Sequence, residues 1–346
     1  AHLEILRQKQ VYVLLRDIAD ANDAQVVIAT HSEVILNEAL DNNLTLLIEG
    51  RADDLAKKQD IRNSLKHFGA EHYLRARECG YVFYVEGHTD VDMLHALAKR
   101  MRHPVASRWD ERINSFCVQN NYSVQDGAAE LERVEGGFGM MPREHFNSLR
   151  NLLPDLAGLA ILDNDGQGRQ DQDEGKLKIR YWRRYECENY FVTPDALREY
   201  ALRQYPLGDL FEEHTREIID KTLAEVVTDM VFDGSEDDYQ IWRKSPPDTR
   251  VLLWETKAEH KKFSLLAEEF FRRLAQALHR PLSLRKNEFY QLVEYVKLTK
   301  AAEMEIRAKL DLLMELFECG NATHMSDPAE KSARGKTGSG ETLSSQ

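Results

Sequence analysis

The sequence predicts an α/β fold, a mostly parallel sheet flanked by helices, with an added C-terminal helical lobe. Three observations carry this expectation. Tyr81-Val82-Phe83-Tyr84-Val85 and Leu159-Ala160-Ile161-Leu162 are short apolar runs of the kind buried on both faces of a parallel sheet. Each run ends in acidic and glycine residues, Glu86-Gly87 and Asp163-Asn164-Asp165-Gly166, and the first leads into a helical pattern from Asp90 through Ala98. Beyond residue 195, apolar residues recur at three- and four-residue spacing with almost no strand signal.

Taken in order, Leu3, Leu6, Gln10, Val13 and Leu14 fit one face of a helix. Gln25-Val26-Val27-Ile28-Ala29 then reads as a short buried strand, followed by Thr30-His31-Ser32 and a helix over Glu33 to Leu40. Residues 1–50 form the first expected region. Residues 51–79 are rich in Lys, Arg and Asp and read as a helical connector. Residues 80–195 hold the strand-and-helix alternation. Its members are the 81–85 strand, a weaker strand over Ser115 to Gln119, a flexible loop at Gly136-Gly137-Phe138-Gly139, a helix over His145 to Leu153, and the 159–162 strand. Residues 196–320 form the helical lobe, with helices expected over 209–232, 258–278, 287–298 and 302–318. From Asn321 to Gln346, Ser, Gly, Thr, Glu and Lys dominate, and a disordered tail is expected.

Composition narrows the function classes. The formal net charge of −13 argues against wholesale wrapping of nucleic acid, which rewards surplus Lys and Arg. It leaves DNA open as a substrate, because carboxylates gathered around a metal contribute to that balance, and basic stretches remain at Arg180-Tyr181-Trp182-Arg183-Arg184 and Lys257 to Lys262. Cys79, Cys117, Cys187 and Cys319 lie far apart and form no C-x-x-C pair, so neither a zinc knuckle nor a disulfide framework is expected. No apolar run approaches the roughly 20 residues that span a bilayer, and Ala1-His2-Leu3-Glu4-Ile5 does not begin a secretory leader. A cytoplasmic protein without membrane contact is expected.

The acidic residues at the strand ends carry the chemistry. Glu86 closes one strand and Asp90 opens the next helix, where it also suits a helix cap, while Gly87 allows a tight turn between them. Asp163 and Asp165 are two residues apart and point the same way if strand geometry persists. Ligands of open α/β sheets collect at the carboxyl ends of the strands, and hard cations such as Mg2+ and Mn2+ favour oxygen donors from carboxylates, water and phosphate.

Glu86-Gly87 on one strand and Asp163-Asn164-Asp165 on a later one resemble the Toprim domain over roughly 110 residues. Toprim domains occur in topoisomerases, primases, small recombination proteins and some nucleases. Arg184-Tyr185-Glu186-Cys187-Glu188-Asn189-Tyr190-Phe191 resembles the Glu-x-Glu-Asn-Tyr segment of the nucleases named for overcoming a lysogenisation defect, the OLD family. The Thr30-His31-Ser32 turn resembles the end of an ABC-type ATPase domain, which OLD proteins carry ahead of the nuclease. The phosphate-binding loop is absent: Gly335-Lys336-Thr337 follows no strand and has Glu330 where the earlier glycine belongs. ATP would therefore be used only with the missing part of that domain, and no other cofactor-binding residue is expected.

The resemblance implies a divalent-metal-dependent DNA endonuclease or nickase that hydrolyses phosphodiester bonds with two Mg2+ or Mn2+ ions, in phage defence or DNA repair. It implies Glu86, Asp90, Asp163, Asp165, Glu186 and Glu188 as metal ligands, and Glu86 also as general base. Lys286 is the lysine expected over the site, with Lys297 as its rival. A homodimer is implied, and a helicase is a candidate partner. Two other readings stand beside it. Leu162-Asp163-Asn164-Asp165-Gly166 also resembles the nucleophile motif of haloacid-dehalogenase-type phosphatases, although that motif belongs to a first strand and continues to Thr. The other is a non-catalytic, ATPase-associated module that docks on DNA.

Overall fold

Five β-branched or aromatic residues in succession make Tyr81–Val85 a strand, β1, and all five side chains are buried. The computed structural model describes residues 2–29, 35, 47–48, 51–52, 70–118, 141–204 and 212–324. They divide between one unit of Ala1–Val82, Asn120–Ala157 and Cys319–Gln346 and another of Phe83–Gln119 and Gly158–Glu318.

In the first unit, α1 (His2–Ala21) occupies the expected amphipathic stretch, and α2 (Ala70–Cys79) leads into β1. Residues 25–29 are not a strand: Val26, Val27 and Ile28 are exposed, and no described strand pairs with them to satisfy their backbone groups. Leu47–Ile48 pairs antiparallel with Arg51–Ala52, so the connector expected from residue 51 begins in extended backbone. Thr30, His31 and Ser32, most of the 33–40 helix, residues 53–69, the 136–139 loop and Gly335-Lys336-Thr337 lie outside the described residues.

The second unit contains the site. After β1 the chain enters α3 (His88–Arg100), turns through a 3-10 helix at Pro104–Arg108, and forms β2 at Ser115–Cys117, ending short of the expected Gln119. In the first unit α4 (Pro142–Leu152) precedes β3 (Ala157–Leu162). Sequence reading missed the next two strands, β4 (Gln172–Glu174) and β5 (Leu177–Tyr181), joined by a two-residue turn with Gly175 at positive φ. The sheet order is β2-β1-β3-β5-β4. β1 runs parallel to β2 with Phe83 beside Ser115, and β3 runs parallel to β5 from Gly158–Leu177 to Leu162–Tyr181. The exposed edge strand β4 is antiparallel to β5.

The lobe comprises α5 (Pro194–Gln204), α6 (Glu212–Val231), α7 (Glu236–Lys244), α8 (Pro247–His260), α9 (Phe263–Leu278), a 3-10 helix at Lys286–Glu294, and α10 (Lys300–His324). The 258–278 helix is thus interrupted at Lys261-Lys262, the 287–298 helix is 3-10 in form, and α10 runs past Asn321. The lobe's core follows helical periodicity: Phe263, Leu266, Ala267, Phe270, Phe271 and Leu274 form the buried face of α9, and Ile219, Leu223, Val226 and Val227 that of α6. Each large side chain so buried contributes about 1.5–3 kcal/mol. No helix among the described residues is long and apolar enough to cross a membrane.

Candidate metal centre

The acidic residues meet where β1, β3 and β5 end. Asp163 follows β3 directly, Glu86 follows β1, and Glu186 and Glu188 flank Cys187 at the start of a 3-10 turn, Cys187–Tyr190, downstream of β5. Asp163, Glu186 and Glu188 are all buried and offer oxygens within 4.8 Å of one another. This is a cation-sized cluster of hard oxygen donors. Asp163 Oδ1 accepts the Cys187 N–H at 2.9 Å, which ties the two loops together. Glu86 Oε1 accepts the Asp163 N–H at 3.1 Å, and Asp90 Oδ2 accepts the Gly87 N–H at 2.9 Å. Asp90 therefore acts from the third position of α3, as the acid of a capping box does. Gly87 itself is extended, with φ −144°, and a Cβ there would meet Thr89 at an ordinary contact of 3.5 Å, so its turn does not depend on glycine.

Burial and mutual repulsion govern the charges. Burial, then Glu188, pushes Asp90 up to about 7, and the same two causes push Glu186 up to about 7. Asp163 is held well above the ordinary range by burial and then by Asp90, Glu86, Glu188 and Glu186. Glu86 is raised by burial and then by Asp165. Without a cation such a cluster retains protons. Two lysines answer it in part. Lys286 Nζ lies 2.6 Å from Glu188 Oε1, and Lys262 Nζ lies 3.6 Å from Glu186 Oε2. Burial works to lower the Lys286 pKa, but Glu188, Glu186 and Asp90 outweigh it and the net shift is upward. Apart from the Lys286 ammonium, the two buried Glu188 oxygens have no hydrogen-bond donor among the described residues. Oxygens left in that condition fit a bound cation.

Asp165 departs from the expectation that it would point with Asp163. The strand stops at Leu162, and Asp165 adopts φ +52°, which breaks the alternation. It pairs with Arg169 at 3.2 Å and stays outside the 4.8 Å cluster, close enough to repel Glu86. Gly166 follows at φ +67°, where a Cβ would press on the Tyr185 ring at 3.2 Å, so this glycine is required. Lys297 stands apart, largely exposed and 4.0 Å from Asp195.

Sequence reading missed the residues that hold the second loop. Arg184, buried, grips Glu255 through Nε (3.1 Å) and a terminal nitrogen (2.6 Å), donates to the Asn189 carbonyl at 2.6 Å, and lies over the Tyr190 ring. Asn189 donates to the carbonyls of Ala258 and Lys261 at 2.7 and 2.8 Å and accepts from the Phe263 N–H at 3.0 Å, bridging the break between α8 and α9. Glu186 Oε1 accepts the Ser264 N–H at 2.6 Å in the first turn of α9, where a helix favours negative charge. The hydroxyl of Tyr190 donates to Glu305 at 2.5 Å. The basic stretches are therefore largely engaged: Arg180 pairs with Asp171 and Asp173, Arg183 with Glu255 and Glu259, and Lys261 with Asp233. They are not a free phosphate-binding surface.

Fold and site together define an α/β protein with a buried carboxylate centre able to hold a metal ion. Compared with models of known protein families and with curated proteins, the chain matches none.

Proposed function

We propose that this chain is a Toprim-type nuclease that hydrolyses phosphodiester bonds in DNA with Mg2+ or Mn2+, in the manner of OLD-family endonucleases and nickases. One observation carries the reading: Asp163, Glu186 and Glu188 converge from two loops into a buried, all-oxygen cluster. Glu86 and Asp90, with Glu86 hydrogen-bonded to the Asp163 backbone, add the carboxylates that a two-ion centre needs. When bound, such ions lower the pKa of an attacking water and stabilise charge on the phosphate and leaving oxygens.

The chain's own groups supply the rest. Glu86, its basicity raised by burial, is suited to take the proton of that water. Lys286 partners Glu188 in the absence of substrate, and its half-exposed ammonium is available to a phosphate oxygen once that carboxylate is otherwise engaged. The Cys187 N–H and the Ser264 N–H hold Asp163 and Glu186 in place. Asp165 pairs with Arg169, which also donates to the Asp163 carbonyl at 3.2 Å.

A plasmid nicking assay with Mg2+, Mn2+ or EDTA tests the reading. Wild type should convert supercoiled to relaxed or linear DNA only with an ion. Asp163→Ala should lower the rate by at least about 1,000-fold, consistent with losing several kcal/mol of transition-state stabilisation, while its circular dichroism stays unchanged. Retained cleavage by Asp163→Ala, or none by wild type with either ion, rules the reading out.

A further inference from the structure

Lys261 and Lys262 fill the break between α8 and α9, and their backbone is extended, with φ −128°, ψ 143° and φ −82°, ψ 105°. Successive side chains of an extended backbone point to opposite sides. Lys261 turns toward the end of α6, where it donates to the Met230 carbonyl at 3.2 Å and pairs with Asp233. Lys262 turns toward the carboxylate cluster, with Nζ 3.6 Å from Glu186 Oε2. The backbone on either side of Lys262 is anchored to the metal loop, because Asn189 donates to the Lys261 carbonyl at 2.8 Å and accepts the Phe263 N–H at 3.0 Å. The loop that presents Glu186 and Glu188 therefore also aims this lysine.

Glu186 does not depend on this ammonium for its place, since its other oxygen accepts the Ser264 N–H at 2.6 Å. The 3.6 Å separation exceeds the roughly 2.7–2.9 Å of a charge-assisted hydrogen bond, so Lys262 is attracted to Glu186 without a committed bond. Its side chain keeps 44% of its surface exposed, close to the 43% of Lys286, which faces Glu188 from a separate element of the lobe. Two half-exposed ammonium groups thus stand one at each glutamate of the Glu-x-Glu segment. Once those glutamates are engaged by a cation, both ammonium groups face a like charge. An anion shared between the cation and the two lysines relieves that repulsion, and phosphate oxygens accept strong, short hydrogen bonds from ammonium groups.

We propose that Lys262 is a second phosphate-contacting lysine, which with Lys286 clamps a DNA backbone phosphate at the metal centre. The assignment rests on the nuclease reading and deepens it, because it fixes how the substrate's phosphate is held. It also separates Lys262 from the rest of the Lys257 to Lys262 stretch, in which Lys257 lies over the Phe232 ring and Lys261 is paired with Asp233.

Salt dependence counts phosphate contacts, so it tests the clamp apart from chemistry. Fluorescence anisotropy on the full chain would use a labelled duplex of about 20 base pairs, with Ca2+ to occupy the oxygen ligands. The logarithm of affinity should fall with the logarithm of salt concentration about 0.9 less steeply for Lys262→Gln than for wild type, the loss of one contact. Lys297→Gln, far more exposed and beside Asp195, should leave the slope unchanged. In Mn2+, Lys262→Gln should nick at least about 100-fold more slowly, as for one lost donor to a transition-state oxygen. Calorimetric Mn2+ affinity should be equal or tighter in Lys262→Gln, because a positive neighbour has gone. A lysine that only braced Glu186 would lower that affinity on removal. An unchanged slope, an equal fall in Lys297→Gln, weaker Mn2+ binding, undiminished nicking where wild type nicks, or no binding of the duplex overturns the proposal. The two readings fail separately. A Lys262-dependent slope without metal-dependent cleavage upholds the clamp and sinks the nuclease, and cleavage with a Lys262-independent slope does the reverse.

Discussion

Asp90 and Glu186 set how the site answers to pH. Both titrate near 7 in the folded chain, against about 4 when unfolded. The folded state therefore holds more protons between those values, and the metal-free protein loses stability as pH rises from about 4 through about 7. A tenfold change in proton affinity corresponds to about 1.4 kcal/mol, so the interacting acids together represent on the order of a few kcal/mol. In EDTA the melting temperature should be several degrees lower at pH 8 than at pH 5.5. Saturating Mg2+ or Mn2+ should close that gap, because the ion replaces the protons as counter-charge. Differential scanning fluorimetry in the four conditions decides it, and a metal-free protein more stable at pH 8 would contradict the assignment. At this scale much of the site is legible in the sequence. Asp163, Glu186 and Glu188 form the cluster, and Lys286 contacts it. Glu86 and Asp90 lie outside it and act on Asp163 by repulsion, while Asp165 pairs with Arg169, its left-handed backbone being indistinguishable from a strand residue by spacing alone.

The elements divide differently. β1 and β3 are readable because buried parallel strands are continuously apolar. β5 escapes a sequence reading although Leu177, Ile179 and Tyr181 alternate with Lys178 and Arg180 and a Gly-Lys turn precedes them. The end of that strand, Arg180-Tyr181, also opens a cationic stretch, and its charge masks the period-two signal. Periodicity finds the lobe helices but not the break at Lys261-Lys262, because its cause, Asn189, lies some 70 residues away in sequence. Removing that amide orphans two carbonyls and one N–H in a buried place, each worth about 1–3 kcal/mol. Asn189→Ala should therefore cost at least about 3 kcal/mol, a fall of at least about 6 °C in melting temperature for a unit of this size, and should weaken Mn2+ binding in calorimetry. An unchanged Mn2+ affinity would show that the α8–α9 break is held independently of the metal loop.

On the scale of the whole second unit, Asp163 and Glu86 follow strands of the sheet and Asp90 opens α3, whereas Glu186 and Glu188 are fastened to the lobe through Ser264, Lys262 and Lys286. The Glu186 carboxylate reaches from the sheet's loop to the amino end of α9. A ligand set divided in this way makes the ion a fastener. Tightening it at Asp163 must seat α9, and loosening α9 must release the ion, by the same free energy in both directions. The amide proton of Ser264 is then a gauge of occupancy: its exchange with deuterated solvent should slow when Mn2+ or Mg2+ is added and quicken when the ion is chelated, with amides near the far end of α9 changing less.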